Sequence, residues 1–199
     1  MNNYLKQYKD DIKELRKREN ILVHVCCGVC SMYPLHELNK HFNISILYTN
    51  SNIYPESEYD LRLSEFKKYL DHLGNPYKLI TPAYNHEEYM KDLREYADLD
   101  EGQIRCRLCY YKRLEDTARF AKENGYDCFT TVMSISNRKK ANWINEIGDE
   151  LAKKYQIKFI HNDFKKDDGI NINQKMNEEF VIYHQPYCGC EYSMRHLNK

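Results

Sequence analysis

Short apolar runs rich in β-branched residues alternate along this chain with longer stretches whose apolar residues recur at helical spacing. The short runs predict five buried strands, at residues 21–26, 44–50, 77–81, 127–132 and 157–161. The longer stretches predict helices at residues 31–41, 56–73, 86–97, 105–124, 139–155 and 172–184. Such an alternation is typical of a mostly parallel sheet with helices on both faces. We therefore predict an α/β fold, a Rossmann-like three-layer sandwich whose working site lies at the carboxyl ends of the strands.

The first twenty residues have a pattern of their own, in which apolar side chains recur at helical spacing with charges between them. These apolar side chains are Tyr4, Leu5, Tyr8, Ile12 and Leu15. We predict one amphipathic helix at residues 1–20, packed on the edge of the domain. Residues 21–199 would then form a single domain that ends in a cysteine-bearing tail.

Composition narrows the class of protein. The formal net charge is zero, and 42% of the residues are hydrophobic and 30% charged, as in ordinary globular proteins. No apolar run reaches the ~20 residues that a membrane span needs, and residues 1–20 lack the apolar centre of a signal peptide. We expect a cytoplasmic protein with reduced thiols and no membrane partner. A nucleic-acid partner would need a local basic patch, because the net charge supplies no general attraction.

Seven of the eight cysteines fall into three clusters at loop or helix-start positions. The clusters are CCxxC at Cys26, Cys27 and Cys30, CxxC at Cys106 and Cys109, and CxC at Cys188 and Cys190. The first directly follows the first strand, where a parallel sheet places its site, and the second begins a helix, where thiolates are favoured. Gly189 frees the backbone to turn both thiols of the third cluster inward. Cys128 stands alone in a predicted strand, and we interpret it as a small core residue.

Several kinds of thiol site remain open at this point. Disulfides are disfavoured in the cytoplasm, and seven thiols would leave one unpaired. A CxxC and a CxC together could hold one structural zinc, and either CxxC could be a redox dithiol. The count favours redox metal chemistry, because seven thiols exceed one four-ligand iron–sulfur cluster and fall short of two. One site could then be fully ligated and a neighbouring site left open for catalysis.

Other polar residues near the strand ends are weaker candidates. Hydroxyl groups follow the fourth strand and could hold a sugar or phosphate or simply cap turns; they belong to Thr130, Thr131, Ser134 and Ser136. Asp163 follows the fifth strand and could donate a proton or bind a hard metal. Glu101 precedes the second cysteine cluster and could cap the helix or reach the site. His24, inside the first strand, is expected to be a core residue.

Basic residues gather on the same expected rim and suggest a track for a phosphate backbone or an ordinary solvated face. They are Arg105, Arg107, Lys112, Arg113, Arg138, Lys139, Lys140, Lys165 and Lys166. Tyr110 and Tyr111 could stack on bases or pack in the helix. No GxGxxG follows the first strand, so we do not expect a dinucleotide site of the usual kind, and the sequence also lacks a P-loop.

Five motifs in order resemble the QueH family, the cobalamin-independent epoxyqueuosine reductases. They are HVCCGVCS at 24–31, RCRLCY at 105–110 with Arg113, Leu114, Thr117 and Ala118, FTTV at 129–132, DFK at 163–165 and QPYCGC at 185–190. The resemblance covers residues 21 to about 193. It implies a fold like that of the adenine-nucleotide α-hydrolase group, with cysteines in place of the nucleotide motif.

The resemblance also implies a reaction, the last step of queuosine synthesis in tRNA. Epoxyqueuosine at the wobble position is reduced to queuosine in tRNAs with a GUN anticodon, those for tyrosine, histidine, asparagine and aspartate. The family is associated with a [4Fe–4S] cluster and a further iron, for which the seven clustered cysteines are the expected ligands. An external low-potential donor would supply electrons. Asp163 is the first candidate for the proton donor and Tyr187 the second.

Two rival functions differ in what the protein must contain. A sulfur-transferring tRNA-modifying enzyme on a related fold would usually carry an ATP-binding loop, which this sequence lacks. A zinc-stabilised module that binds nucleic acid without catalysis would contain zinc and no sulfide.

Overall fold

A computed structural model describes residues 3–194 of the chain and contains a five-stranded parallel sheet. The strands are β1 Glu19–His24, β2 Phe42–Leu47, β3 Lys78–Ile80, β4 Cys128–Thr131 and β5 Lys158–Phe159. The helices are α1 Tyr4–Lys13, α2 Met32–Leu38, α3 Glu56–His72, α4 His86–Met90, α5 Ile104–Glu123, α6 Ala141–Tyr155, α7 Gly169–Phe180 and α8 Glu191–Met194, with short 3₁₀ helices at Lys91–Tyr96 and Met133–Ile135. The strand order is β3-β2-β1-β4-β5, and every pair is parallel. The predicted α/β fold is confirmed.

The direction of winding reverses between β1 and β4. The chain runs outward from β1 through β2 to β3, and then crosses back to β4 and continues to β5. Because connections between parallel strands are right-handed, the helices of the two halves lie on opposite faces of the sheet. In the register, His24 lies opposite both Leu47 of β2 and Thr131 of β4. The loops after β1 and β4 therefore leave the sheet side by side, at the crevice where such folds bind ligands.

Two long helices carry arginines on the face that they bury, one on α3 and two on α5. The buried residues of α3 are Tyr59, Arg62, Phe66, Tyr69 and Leu70. Those of α5 are Arg105, Tyr110, Arg113, Leu114, Thr117, Ala118 and Ala121. An arginine inside an otherwise apolar stripe must find partners within the protein, because burying an uncompensated charge is costly.

Several element boundaries differ from the prediction. The first helix ends at Lys13 instead of residue 20, because Glu19 and Asn20 already pair with Phe42 and Asn43 in the sheet. The predicted helix at 86–97 divides into α4 and a 3₁₀ helix, and β5 has two paired residues. Residues 1–2 and 195–199, the outer ends of the two predicted segments, lie outside the described residues. Among the described helices, none is long and apolar enough to cross a membrane.

Candidate metal centre

The first cysteine cluster lies in a loop that leaves β1 at the crevice. The amide of Val25 still donates to Leu47, and the Asn50 side chain donates to the Val25 carbonyl at 2.8 Å. Farther along, Asn173 and Asn177 of α7 both donate to the carbonyl of Val29, at 2.8 and 3.1 Å. These backbone contacts fix both ends of the loop, so its thiols are held in place by the scaffold rather than by one another.

The three thiols of this loop are buried and close together. The Sγ atoms of Cys26, Cys27 and Cys30 all lie within 4.8 Å of one another, and those of Cys26 and Cys27 are 3.8 Å apart. Hydrogen bonds from Cys27 and Cys30 lower the pKa of Cys26 well below its ordinary value, and the Lys139 ammonium lowers it further. Cys27 and Cys30, which donate to that sulfur, have raised pKa values, about 11 for Cys27. Among the three thiols, Cys26 therefore has the surroundings most favourable to the thiolate form.

The other two clusters meet at a small apolar pocket next to this loop. Cys106 and Cys109 lie in the first turns of α5, and Cys188 and Cys190 lie on the segment before α8; all four line the same pocket. The amide of Gly102 donates to the Cys106 sulfur at 3.3 Å. Burial raises the pKa of Cys106, and burial followed by the neighbouring Cys188 raises that of Cys190 to about 11. Four thiols from two distant parts of the chain thus line one small pocket.

A buried arginine attaches the third cluster to the rest of the protein. Arg62 of α3 pairs with Glu58 at 2.7 Å and donates to the carbonyls of Cys188 and Tyr187, at 3.1 and 3.3 Å. Gly189 lies between the two thiols with φ +123°, and its carbonyl accepts from the amide of Tyr54 at 2.8 Å. The guanidinium and the glycine conformation together turn both thiols toward the pocket.

Two further cations are buried between the cysteine clusters without a carboxylate partner. Arg113 is 2% exposed and Lys139 is 7% exposed, and neither forms an ion pair with an acidic residue in the described part of the chain. The ammonium of Lys139 lies 3.9 Å from the sulfur of Cys26. Burial alone would lower the pKa of both groups, but thiolates outweigh it: Cys26 and Cys188 raise the pKa of Lys139, and Cys109 raises that of Arg113. The surroundings of these cations suit anionic sulfur.

A cavity of about 740 Å³ opens beside the first cluster. Its lining includes the thiols of Cys26, Cys27, Cys30 and Cys188. Cys188 and Arg113 also line the small pocket of the other thiols, so the two spaces adjoin. Gln185 lies at the same wall and donates to the Cys27 sulfur at 3.1 Å. The structure thus brings together all seven cysteines of the three predicted clusters.

The two predicted proton donors occupy different places. Tyr187 lines the cysteine cavity and donates its hydroxyl to the carbonyl of Tyr54, and burial followed by Glu58 raises its pKa to about 12. Asp163 is not among the described residues that line this cavity; it lies in neighbouring clefts, with one carboxylate oxygen 3.3 Å from the ammonium of Lys165. Lys139 lines both the cysteine cavity and one of these clefts. The catalytic roles of Asp163 and Tyr187 remain predictions.

Most other polar candidates have local structural partners. Thr130 donates to the carbonyl of Ile160 at 2.8 Å, and Thr131 bonds His24 at 2.9 Å. His24 is fully buried, and burial lowers its pKa to about 3, so the ring is neutral and part of the core. Cys128 is likewise in the core, where burial raises its pKa. These contacts favour the structural interpretation of the strand-end residues.

The remaining candidates lie around the rim. Ser134 bonds Asn162 and the amide of Phe164, whereas Ser136 and Arg138 line the cysteine cavity. Tyr110 is buried in α5, so it packs in the core instead of facing solvent. Glu101 lies 3.9 Å from Arg138 in an exposed ion pair.

Sequence reasoning missed two residues that support the site. Arg62 sits between Tyr59 and Phe66 on the apolar stripe of α3, and that interruption was the available signal. Tyr89 donates to the Cys109 sulfur at 3.3 Å and to its carbonyl at 2.9 Å. Nothing in the spacing of residues 86–97 distinguished this tyrosine from an ordinary core residue.

Comparison with known proteins places this chain in a family. The profile described as "Epoxyqueuosine reductase QueH" matches residues 21–196. The protein of that name from Streptococcus pyogenes is 37% identical over 182 residues, which cover 89% of this chain and 71% of the relative. Those from Staphylococcus aureus and Thermotoga maritima are 35% and 32% identical, covering 88% and 87% of this chain and 76% and 90% of the relatives.

A solved structure supports the fold independently. The U34-tRNA thiolase NcsA from Methanococcus maripaludis, with its [4Fe–4S] cluster, aligns with a TM-score of 0.57 at 17% identity. The alignment covers 96% of this chain and 68% of NcsA. From the profile match and the curated relatives, this chain belongs to the epoxyqueuosine reductase QueH family.

Proposed function

We propose that this chain reduces the epoxide of epoxyqueuosine in tRNA to the alkene of queuosine, using a [4Fe–4S] cluster and a second iron held by its clustered cysteines. The reaction consumes two electrons and two protons and releases the epoxide oxygen as water. The observation that carries the proposal is the convergence of seven thiols beside one cavity at the carboxyl ends of β1 and β4. Family membership supplies the reductase activity, and this site is where we assign it.

The spacing of the thiols suggests how the metals divide among them. A tetrahedral ion with metal–sulfur bonds of about 2.3 Å, the value for zinc, has neighbouring sulfurs about 3.8 Å apart. The Sγ atoms of Cys26 and Cys27 match that spacing, so we assign Cys26, Cys27 and Cys30 to the single iron. Three protein ligands leave one position for substrate, as in catalytic metal sites.

The remaining four thiols match the needs of a cubane cluster. Such a cluster takes four cysteine thiolates, each bound to a different iron. We assign Cys106, Cys109, Cys188 and Cys190 to it, because they line one pocket from different directions. The [4Fe–4S] cluster of NcsA, on the same fold, is consistent with an iron–sulfur cofactor here.

Such a centre would supply electrons one at a time and a Lewis acid for the epoxide oxygen. The protein's own part is to receive the nucleoside and to deliver protons. The cavity of about 740 Å³ suits one modified nucleoside turned out of the anticodon stack. Of the two predicted proton donors, Tyr187 lines this cavity, and Asp163 would have to act through the adjoining cleft that shares Lys139.

The partners follow from the reaction. We propose as substrates the GUN-anticodon tRNAs carrying epoxyqueuosine, and an external low-potential donor as the source of electrons. We also propose that the chain works in the cytoplasm, where reducing conditions keep thiols available for metal binding. Arg138, at the cavity wall and largely exposed, is a candidate contact for the phosphate backbone.

The test is anaerobic purification, with iron, sulfide and zinc analysis, followed by incubation of the reduced protein with tRNA carrying epoxyqueuosine. We expect broad absorption near ~400 nm, about four sulfides and more than four irons per chain, and nucleosides that have lost one oxygen atom. Cys128→Ala is the matched control, since it removes a thiol outside the site. Stoichiometric zinc without sulfide, or an iron–sulfur protein that leaves epoxyqueuosine unchanged, would contradict the proposal.

A further inference from the structure

We propose that Arg113 and Lys139 are the built-in counter-charges of the metal centre, which raise its reduction potential by stabilising the reduced form. The inference rests on the proposed function, because it concerns the iron–sulfur centre assigned there. It goes beyond that assignment by giving a role to two residues that are neither metal ligands nor proton donors.

Arg113 lies where the two thiol groups adjoin. It is 2% exposed, and it lines both the large cavity and the small pocket. Its one described hydrogen bond is long, from Nε to the carbonyl of Cys109 at 3.4 Å, and its Nη2 atom has no partner among the described residues. A guanidinium that was placed only to strengthen packing would be expected to reach several backbone acceptors, as Nη1 of Arg105 does with the carbonyls of Tyr96, Ala97 and Leu99.

Lys139 approaches the first cluster from the loop after β4. Its ammonium lies 3.9 Å from the Cys26 sulfur, and that sulfur is its only described side-chain contact of this kind. A nearby lysine shows the alternative arrangement: Lys165 reaches the carbonyl of Ser134 and the carboxylate of Asp163, so its charge is compensated locally. Lys139 has no such carboxylate within the described residues and faces sulfur instead.

Two buried and uncompensated cations next to each other require an anion. Their mutual repulsion and their removal from water both oppose the folded state, and several thiolates are the anionic groups within reach. A centre held by seven thiolates carries net negative charge, and each electron that it accepts makes that charge larger. Fixed cations nearby therefore favour the reduced form more than the oxidised form.

An electrostatic role and a packing role of these two side chains predict different effects of substitution. If the cations serve the metal centre, a neutral side chain of similar length lowers the reduction potential, and a charged replacement preserves it. In the metal-free protein the same neutral replacement removes a buried charge, so stability should be unchanged or increased. A packing role would lower stability with or without the metal and leave the potential unchanged.

The experiment is a potentiometric titration of the anaerobically purified protein, followed by electron paramagnetic resonance, with iron and sulfide analysis of each sample. The variants are Lys139→Met and Arg113→Met, with Lys139→Arg and Arg113→Lys as charge-preserving partners. Arg138→Gln is the matched control, because it removes one positive charge next to Lys139 from a largely exposed side chain, where solvent screens it. Thermal unfolding of the metal-free proteins is measured in parallel.

We expect both methionine variants to shift the midpoint potential to more negative values, with Arg138→Gln and the charge-preserving variants close to wild type. Metal-free Lys139→Met should unfold at or above the wild-type temperature. A methionine variant that fails to retain its cluster has no potential to measure. In that case, a cluster retained by the matching charge-preserving variant supports the inference, and a cluster lost from both variants overturns it. Unchanged potentials in both methionine variants also overturn it, whereas a wild-type protein that takes up only zinc overturns the proposed function itself.

Discussion

Replacing Gly189 by alanine tests whether the backbone between Cys188 and Cys190 holds the metal centre in shape. Gly189 has φ +123°, a conformation that costs an L-residue about 1–3 kcal/mol. A Cβ atom there would also lie 2.9 Å from Nη1 of Arg62 and 3.2 Å from Cγ1 of Ile53. Relieving that contact displaces the guanidinium, whose hydrogen bonds to carbonyls are worth about 1.5–3 kcal/mol each. We expect a total loss of about 3 kcal/mol and impaired iron binding.

Gly125→Ala provides the matched control for this substitution. Gly125 also has positive φ, +70°, but a Cβ there meets nothing within 4 Å, and it lies at the opposite end of α5 from Cys106. Its cost should be the backbone strain alone, about 1 kcal/mol, with full metal content. Denaturant unfolding and iron and sulfide analysis of both variants measure the difference. If Gly189→Ala matched Gly125→Ala in stability and kept its full metal content, the argument from Arg62 would be wrong.

Three further predictions concern other parts of the molecule. Cys109→Ser should abolish cluster loading, measured as sulfide per chain. Cys128→Ala should keep the full metal content and lower the free energy of unfolding in urea by only about 1 kcal/mol. Equal loss of sulfide in both variants would contradict the ligand assignment. The pKa of His161 is raised above 6.5, first by its hydrogen bond with Asp11, so its contribution to folding stability is present below about pH 6.5 and fades as pH rises through the raised pKa. His161→Gln should therefore lose more stability at pH 6 than at pH 9. A loss of stability that does not depend on pH would contradict this. Gly148→Ala should lower the free energy of unfolding by about 1–3 kcal/mol, because its Cβ would lie 2.3 Å from the ring of Phe159 in β5. An unfolding midpoint equal to that of the wild type would show that the ring moves freely.

The sheet and its helices could be predicted from the sequence because their patterns are strong. Alternation of strands and helices gave the parallel sheet, and all five strands occur where an apolar run was found. Boundaries were less accurate where pairing outweighs local pattern. Glu19 and Asn20 look like the end of a charged helix, yet they extend β1 because β2 offers partners at Phe42 and Asn43.

The thiols of the site could be predicted from the sequence, but the contacts that orient them could not. Cysteine spacing and position at strand and helix ends singled out the three clusters as candidates for a metal site, and the structure brings them together. The contacts that orient them depend on residues far apart in the sequence, such as Arg62 and Cys188, which are 126 positions apart. Such pairings have no local signal. The hydroxyl groups of Thr130 and Thr131 show the opposite kind of error. Their positions in the sequence suggested ligand binding, but their hydrogen bonds are to other parts of the sheet and its loops.

The three cysteine clusters bring together segments that lie far apart in the chain. Cys27 and Gln185 meet although 158 residues separate them, and the thiols around them come from both halves of the sheet. A disulfide closing a loop of that length would stabilise a protein by roughly 5 kcal/mol through loss of freedom in the unfolded chain. The metals proposed above, shared among these thiols, would act as a reversible cross-link of the same kind. Oxidative loss of the proposed iron would remove that cross-link and leave the segment carrying Cys188 and Cys190 held by Arg62 and by the hydrogen bond from Tyr54 to Gly189.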